Sequence, residues 1–444
     1  MLRILRNRTY ARLFLAQVVA LLGTGLLTVA LGLLAYAIAG ERAGAVLGTA
    51  LAIKMVAYVA LAPISQAAAA RLPRKAVLVG ADLVRAAVAM CLPFVDEVWQ
   101  VYALIFVLQA ASATFTPAFQ ATIPDILPRE EDYTRALSLS RLAYDLENLA
   151  SPALAGFLLT VMTYHYLFTG TVAGFLGSAA LVLASSIPTP TGSRTRPFLQ
   201  RLTRGSWIYL ATPRLRGLLA LNMTAAAAGA FVIVNTVVIV RSGFGLPEAA
   251  VSQALAAFGG GSMIAALLLP RLLDRLKDRS VMANAALLLS VVTLGHAGWL
   301  MAAGLPGWGA FLLLWGISGL CYSAILTPTG RLLRVSAHAE DRPALFSAQF
   351  ALSHACWLLT YPLAGWAGEA VGLPAAMAIL GALALAGAVA ARALWPAAED
   401  AELPHDHPDL PDDHPHLLAH RTPGGGHAHS FMIDDDHPAW PRSA

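Results

Sequence analysis

Long apolar stretches, each ended by a charge, a proline or a glycine, recur along most of the chain, and polar residues gather in the short gaps between them. About 20 apolar residues suffice for an α-helix to cross a bilayer. The breaks place twelve such spans, at roughly 11–38, 44–69, 76–95, 98–121, 136–160, 165–187, 217–240, 249–269, 281–303, 308–329, 345–368 and 372–395. The first run follows arginines and reaches Ala37-Ile38-Ala39, which imitates a signal-peptide cleavage site, but it is too long for a signal-peptide core and reads as a retained span. The pattern predicts an all-α membrane protein: twelve transmembrane helices in two six-helix halves, 1–187 and 217–396. A polar, basic linker, 188–216, joins them, and a disordered His/Asp-rich tail, 397–444, follows once hydropathy collapses after Pro396.

Composition agrees. Of 444 residues, 57% are hydrophobic and only 13% charged, against about 25% charged in soluble domains. The formal charge of +4 hides a split, because 399–444 holds ten acids and two arginines, leaving 28 bases against 16 acids elsewhere. With a cytoplasmic N-terminus, 25 Lys and Arg fall inside, Arg42 and Arg241 outside, and Lys54, Arg85 and Arg141 within spans. The positive-inside rule then puts both termini in the cytoplasm, and the expected location is the inner membrane of a bacterial cell. The excess base is topological and points to lipid, not to nucleic acid. Cys91, Cys321 and Cys356 all lie in apolar segments and form no disulfide or zinc-finger pattern. No nucleotide-binding loop or nucleophile triad is present, so no enzyme and no cofactor is expected, and the chain is expected to act as a monomer.

One span is unlike the rest. The fifth carries Arg141, Asp145, Glu147 and Asn148 within an otherwise membrane-crossing pattern. A charge at mid-bilayer costs roughly 2.5–3.5 kcal/mol on insertion scales, so such groups face a partner or an aqueous cavity. Arg141 and Asp145, at i,i+4, can pair on one face. Glu147 lies further round the helix, so at least one carboxylate points elsewhere. A proton or cation site and a structural ion pair are the two readings, and the first is preferred. Lys54, in the second span, is either a counter-charge to these acids or a helix-to-helix salt bridge. Asp82 and Arg85, at i,i+3, read as a structural pair that stabilises one access state.

The halves echo each other at an offset near 210 residues. Thr116-Pro117 ends the fourth span as Thr327-Pro328 ends the tenth, and Pro152-Ala-Leu-Ala-Gly156 corresponds to Pro362-Leu-Ala-Gly365. The offset brings His354 and Cys356 of the eleventh span to the depth of Asp145 and Glu147. His354 is the preferred ligand of the two, and carboxylate with imidazole suits a borderline divalent metal. Trp315, Trp357 and Tyr361 would suit an organic cargo instead.

With two six-helix halves and basic loops after spans two and eight, the chain resembles the major facilitator superfamily. Arg71, Arg74 and Lys75 match the basic part of that superfamily's signature loop after span two, with Ala70 where an Asp is usual. Ala81-Asp82-Leu83-Val84-Arg85 is similar to its drug and siderophore exporters. Pro152-Ala-Leu-Ala-Gly156 resembles the antiporter motif of span five, with Ser151 in place of Gly. The resemblance implies halves that rock about a midplane site, with Arg71, Arg74, Lys75, Asp82 and Arg85 in the gating region.

The tail holds His405, His407, His414, His416, His420, His427, His429 and His437, eight of the chain's twelve histidines. Three His-x-His pairs can chelate in an extended segment, and Asp406 with the neighbouring aspartates adds carboxylates. Prolines and the Gly424–Gly426 run argue against a helix or a packed core. Such a tract reads as metal binding, and imidazole without thiolate suits Ni²⁺, Co²⁺, Zn²⁺ or Cu²⁺. A major-facilitator body with this tail resembles the NreB-type nickel-resistance exporters, and Ala136-Leu-Ser-Leu-Ser-Arg-Leu-Ala-Tyr-Asp-Leu-Glu147 is similar to that group. The resemblance implies proton-driven export of Ni²⁺, with Co²⁺ as a second cargo and a site built from Asp145, Glu147, His354, Lys54 and Arg141. Two alternatives stand beside it: an exporter of an organic compound or metal chelate with a metal-buffering tail, and a membrane metal sensor that moves nothing.

Overall fold

The computed structural model describes residues 2–39, 43–69, 72–188 and 197–396, and in the tail 403–404, 417, 427–429, 431–435, 437 and 439–441. Among these, twelve helices of 18 residues or more occupy the twelve predicted positions. The first half contains α1 (Arg8–Ala39), α2 (Ala43–Ala69), α3 (Arg74–Cys91), α4 (Val98–Ile126), α5 (Glu130–Leu159) and α6 (His165–Leu183). A short amphipathic helix, α7 (Phe198–Ala211), lies within the linker. The second half contains α8 (Pro213–Val238), α9 (Glu248–Leu273), α10 (Asp278–Ala303), α11 (Trp308–Leu326), the short α12 (Thr329–Val335), α13 (Arg342–Val371) and α14 (Leu373–Leu394).

Helix ends follow local chemistry. Glu97 and Gln100 form a reciprocal capping box at the start of α4. Three acids, Glu130, Glu131 and Asp132, fill the first turn of α5, where the helix dipole favours negative charge. Gly372, at φ 82°, permits the sharp turn from α13 into α14. One sequence expectation fails here. Thr116-Pro117 does not end its helix, because α4 runs on through Pro117 and Pro124 to Ile126. In the second half the break is real, with α11 stopping at Leu326 before Thr327-Pro328.

Among the described residues, ten helices are long and apolar enough to cross a membrane, and α5 and α13 are the two long helices that are not among them. These two are equal in length, 30 residues each, and hold corresponding places in the halves. Within each half, first and last helices cross closely. Thr171 of α6 donates to the Gly23 carbonyl of α1 (2.9 Å), and Thr224 of α8 donates to the Ala384 carbonyl of α14 (2.9 Å). Between halves, α2 packs on α13 and α5 on α9, so both long helices outside that set lie at the seam. Lipid-sized exposed side chains such as Phe94, Trp99, Phe157 and Trp366 lie outside this seam's buried clusters.

The tail departs from expectation. Leu403–Pro404 and Ala428–His429 pair as a two-stranded antiparallel ribbon. Phe431 and Ile433 are buried in the cluster that also holds Ile208 and Tyr209 of α7, Leu332 and Leu333 of α12 and Leu345 and Phe346 of α13, with Trp440 packed against it. These apolar residues follow the last glycines, and average composition over 397–444 conceals them.

Candidate functional site: a charged seam between two helical halves

The middle of the seam is organised by one i,i+4 pair. Arg141 Nη2 lies 3.1 Å from Asp145 Oδ1, as one helix face allows. Ser262 of α9 completes a triangle across the halves. Its hydroxyl accepts from Arg141 Nε (3.0 Å) and donates to Asp145 Oδ2 (2.7 Å). The Arg141 guanidinium also stands 4.9 Å from the Tyr322 ring of α11, a cation–π contact. Asp145 is buried, so its charge is held by these donors and not by water.

Glu147 points elsewhere, as its angular position requires. Its Oε1 lies beside Gly25 of α1, where any side chain would also collide with Ser151. The Lys54 ammonium lies 5.6 Å from the centre of the Tyr58 ring. His354 Nδ1 is 2.7 Å from the Phe350 carbonyl, and its ring stands edge-on to Tyr58 at 4.8 Å. Tyr58 is in α2 and His354 in α13, so this contact also crosses the seam.

The expected metal centre of Asp145, Glu147 and His354 is therefore not assembled in this state. Among the described residues, no three His, Cys, Asp or Glu side chains are grouped to hold a metal ion. Arg141 and Ser262 draw Asp145 toward α9, Glu147 packs toward α1, and the Phe350 carbonyl and Tyr58 orient His354. Cys356 turns to its own helix, at 3.4 Å from the Leu352 carbonyl. Trp315 does not line the seam either. It is buried among Phe311 and His296 and donates to Thr236 (2.8 Å). Trp357 and Tyr361 do pack together, 4.9 Å apart, and Trp357 meets Tyr322.

At the end of the molecule that carries the termini, ion pairs close the seam. Asp125 of α4 pairs with Arg74, and at 2.7 Å with Arg342 of α13. Arg331 of α12 pairs with Glu130 of α5 and, at 3.1 Å, with Asp278. Arg334 donates to the Pro128 carbonyl. Arg74 thus takes part in the closure, while Lys75 makes no ion pair among the described residues. Asp82 and Arg85 do not join this gate. They pair inside the first half, where Ser178 donates to Asp82 (2.7 Å) and the rings of Phe115 and Phe175 lie 4.2 and 4.6 Å from the Arg85 guanidinium. Arg71, His405, Asp406, His407, His414, His416 and His420 lie outside the described residues. His427 is buried, His429 is part of the tail ribbon, and His437 bonds to Asp434 through Nδ1 (2.7 Å).

Two pseudo-symmetric six-helix halves, with α5 and α13 at their seam and ion pairs across one end, are the architecture of transporters built from internal repeats. The sequence model of the Major Facilitator Superfamily matches residues 13–296 and again 218–424. The chain belongs to that superfamily. This transporter is 23% identical over 334 residues to the uncharacterised MFS-type transporter YfiS of Bacillus subtilis, covering 73% of this chain and 78% of that one. It is 25% identical over 266 residues to macrolide efflux protein A of Enterococcus faecalis, covering 57% and 80%. Among solved structures, the human organic anion transporter MFSD10 (TETRAN) superposes with a TM-score of 0.69 at 13% identity, covering 87% of this chain and 99% of that one. The E. coli fucose:proton symporter FucP gives 0.66 at 16% identity, covering 87% and 98%. At these identities the structural likeness is one of fold.

Sequence reasoning missed Ser262, Tyr58 and Tyr322. Ser262 follows the Gly259–Gly261 run, and a glycine run in a membrane helix signals close approach of a neighbour. Tyr58 and Tyr322 carry no such mark.

Proposed function

We propose that this transporter exports a divalent metal cation, Ni²⁺ foremost and Co²⁺ second, in exchange for protons. The observation that carries the reading is the tail: eight histidines in three His-x-His pairs and single positions, interleaved with aspartates, on a segment anchored at the same end as the gate. Imidazole and carboxylate donors select borderline divalent metals. The likeness to NreB-type exporters rests on this tail and on Ala136–Glu147, and it points the same way. The protein sits in a bacterial inner membrane with both termini cytoplasmic, works as a monomer and needs no cofactor beyond its cargo and protons.

In this proposal the tail captures metal at the cytoplasmic mouth. When the halves rock, the Ser262 contacts part and Asp145 and Glu147 become available in the cavity, with His354 as a further ligand. Metal binds only deprotonated ligands, so protons arriving from outside displace it. Lys54 and Arg141 hold the carboxylates' charge while the cavity is empty.

An organic cargo is favoured by two facts: aromatic side chains Tyr58, Tyr322, Trp357 and Tyr361 gather near the seam, and three of the relatives are named macrolide efflux protein A. The test is Ni²⁺ uptake into everted vesicles, with and without a pH gradient, using the full chain and a form ending at Ala398. Gradient-driven uptake by the full chain supports export, and uptake by the shorter form places the transport site in the helices. Absence of Ni²⁺ uptake in vesicles holding folded protein, with uptake of a macrolide, favours the organic cargo.

A further inference from the structure

The docked part of the tail grips the element that closes the gate. Residues 336–341 connect α12 to α13. The next residue, Arg342, reaches across the seam to Asp125, and Arg74 of the first half lies 3.4 Å from the Ala339 carbonyl. From the other side, His338 Nε2 lies 3.2 Å from Asp434 Oδ2 in the tail. The Asp434 carboxylate also takes His437 at 2.7 Å. Beside it, Arg204 of α7 holds Asp341 of the connector at 2.8 Å and Asp435 of the tail at 2.9 Å. One guanidinium thus joins linker helix, connector and tail.

α7 is itself bound to both halves. Arg201 donates to the Ala67 carbonyl of α2 (2.8 Å). Gly205 is pressed so closely on the Ala344 carbonyl of α13 that a methyl group would overlap it. Contacts from tail to α7 therefore reach the first half through Arg201. The tail also borders the seam directly: Met432 lines a cavity of about 340 Å³ with Glu130 of the first half and Arg334, His338 and Arg342 of the second. Phe431 and Ile433, buried under this network, fix its position.

We propose that the docked tail residues 431–435, 437 and 439–441 form an autoinhibitory latch. Docked, they hold the connector from its outer side while Asp125 and Arg74 hold it from the seam, and the termini end stays closed. Undocked, they leave Arg204 as the outer hold on the connector, and the gate opens more often. The latch rests on the chain's being an alternating-access carrier, not on the identity of its cargo, so its test does not use metal flux.

Leu137 of α5 meets Gly330 of α12 across the seam, which makes position 137 a reporter of the closed gate. In a full-length background with the three native cysteines replaced by serine, Leu137→Cys is labelled by a membrane-impermeant maleimide from the termini side. Combined Phe431→Ala and Asp434→Ala, with undocking verified by proteolysis of the tail, should raise the labelling rate several-fold. A second variant works in the opposite sense. Cysteines placed by His338→Cys and Asp434→Cys tether the docked tail on oxidation, and labelling at position 137 should fall severalfold and recover on reduction. An unchanged rate in the released variant, or equal rates in the oxidised and reduced tether, overturns the latch. If the released variant fails to fold, the tether alone decides.

Discussion

Removing one charge from the central triangle separates a structural role from a transport role. Asp145→Asn keeps the size of the side chain but leaves Arg141 as a partly buried cation facing a neutral amide. Breaking one side of a buried pair costs about 3–5 kcal/mol. Arg141 keeps Ser262 Oγ at 3.0 Å and the Tyr322 ring at 4.9 Å, so the lower figure, about 3 kcal/mol, applies. That corresponds to roughly a hundredfold in a folding equilibrium. Arg141→Gln should cost a similar amount, because Asp145 is the more deeply buried partner. The double variant removes both charges and should recover most of the loss, as a coupled pair does in a mutant cycle. The stability readout is the fraction of each variant that stays monodisperse after heating in detergent. Transport is read in parallel as the protection each variant gives cells against Ni²⁺, at matched membrane abundance. The double variant should be nearly as heat-stable as the parent and still fail to protect. Protection restored in the double variant would falsify the assignment of Asp145 as a coupling residue and leave a structural ion pair in its place.

Three further outcomes follow from contacts described above. Gly25→Val should abolish assembly or lower stability by about 1–3 kcal/mol, because its side chain would enter the space of Ser151 and the Glu147 carboxylate; membrane abundance and heat tolerance read this, with Gly32→Val, which meets nothing within 4 Å, as the control. Gly261→Leu should separate α9 from α11, since even a methyl group there overlaps the Gly316 carbonyl; normal heat tolerance of this variant would contradict the close crossing. Tail docking should depend on pH. The Asp434 hydrogen bond, working against burial, raises the His338 pKa. Burial opposes ionisation of Asp434, but its hydrogen bonds to His338 and His437 outweigh that and hold its carboxyl below the usual range. The His338 contribution is complete below the ordinary imidazole value, about 6.5, and is lost as pH rises through the elevated one. The Asp434 contribution is present above the ordinary carboxylate value, about 3.9, and is lost as pH falls through the depressed one. Protease sensitivity of the tail should therefore be lowest between those limits and increase toward alkaline pH; a flat profile from pH 6 to 9 would contradict the His338 contact.

The helices were legible because bilayer thickness imposes a length and a polarity that composition reveals, and all twelve predicted positions hold a long helix. The odd chemistry of α5 was legible for the same reason: Arg141 and Asp145 stand out against apolar neighbours, and i,i+4 spacing dictates their pairing. What each charge meets on another helix was not legible. Ser262 and Gly25 become partners of Asp145 and Glu147 only through packing between distant segments. The 210-residue offset placed His354 at the right depth but could not give its direction, which the Phe350 carbonyl and Tyr58 decide. In the tail, the density of His, Pro and Gly hid a short apolar run, 431–433, whose burial depends on a surface supplied by α7, α12 and α13.

The polarity of α5 and α13 bears on how the chain enters the bilayer in the first place. Three ionised side chains would set a lone α5 against partitioning by roughly 8–10 kcal/mol if all lay at mid-membrane. Pairing of Arg141 with Asp145 lowers that cost, and Glu147 is sheltered once α1 packs beside it at Gly25. Asp145 waits longer still, because Ser262 is synthesised 117 residues later. Biogenesis of this protein is therefore bound to tertiary assembly: the first half crosses the membrane with Arg141 and Asp145 paired to each other, and translation of α9 supplies the hydroxyl that completes their hydrogen bonding.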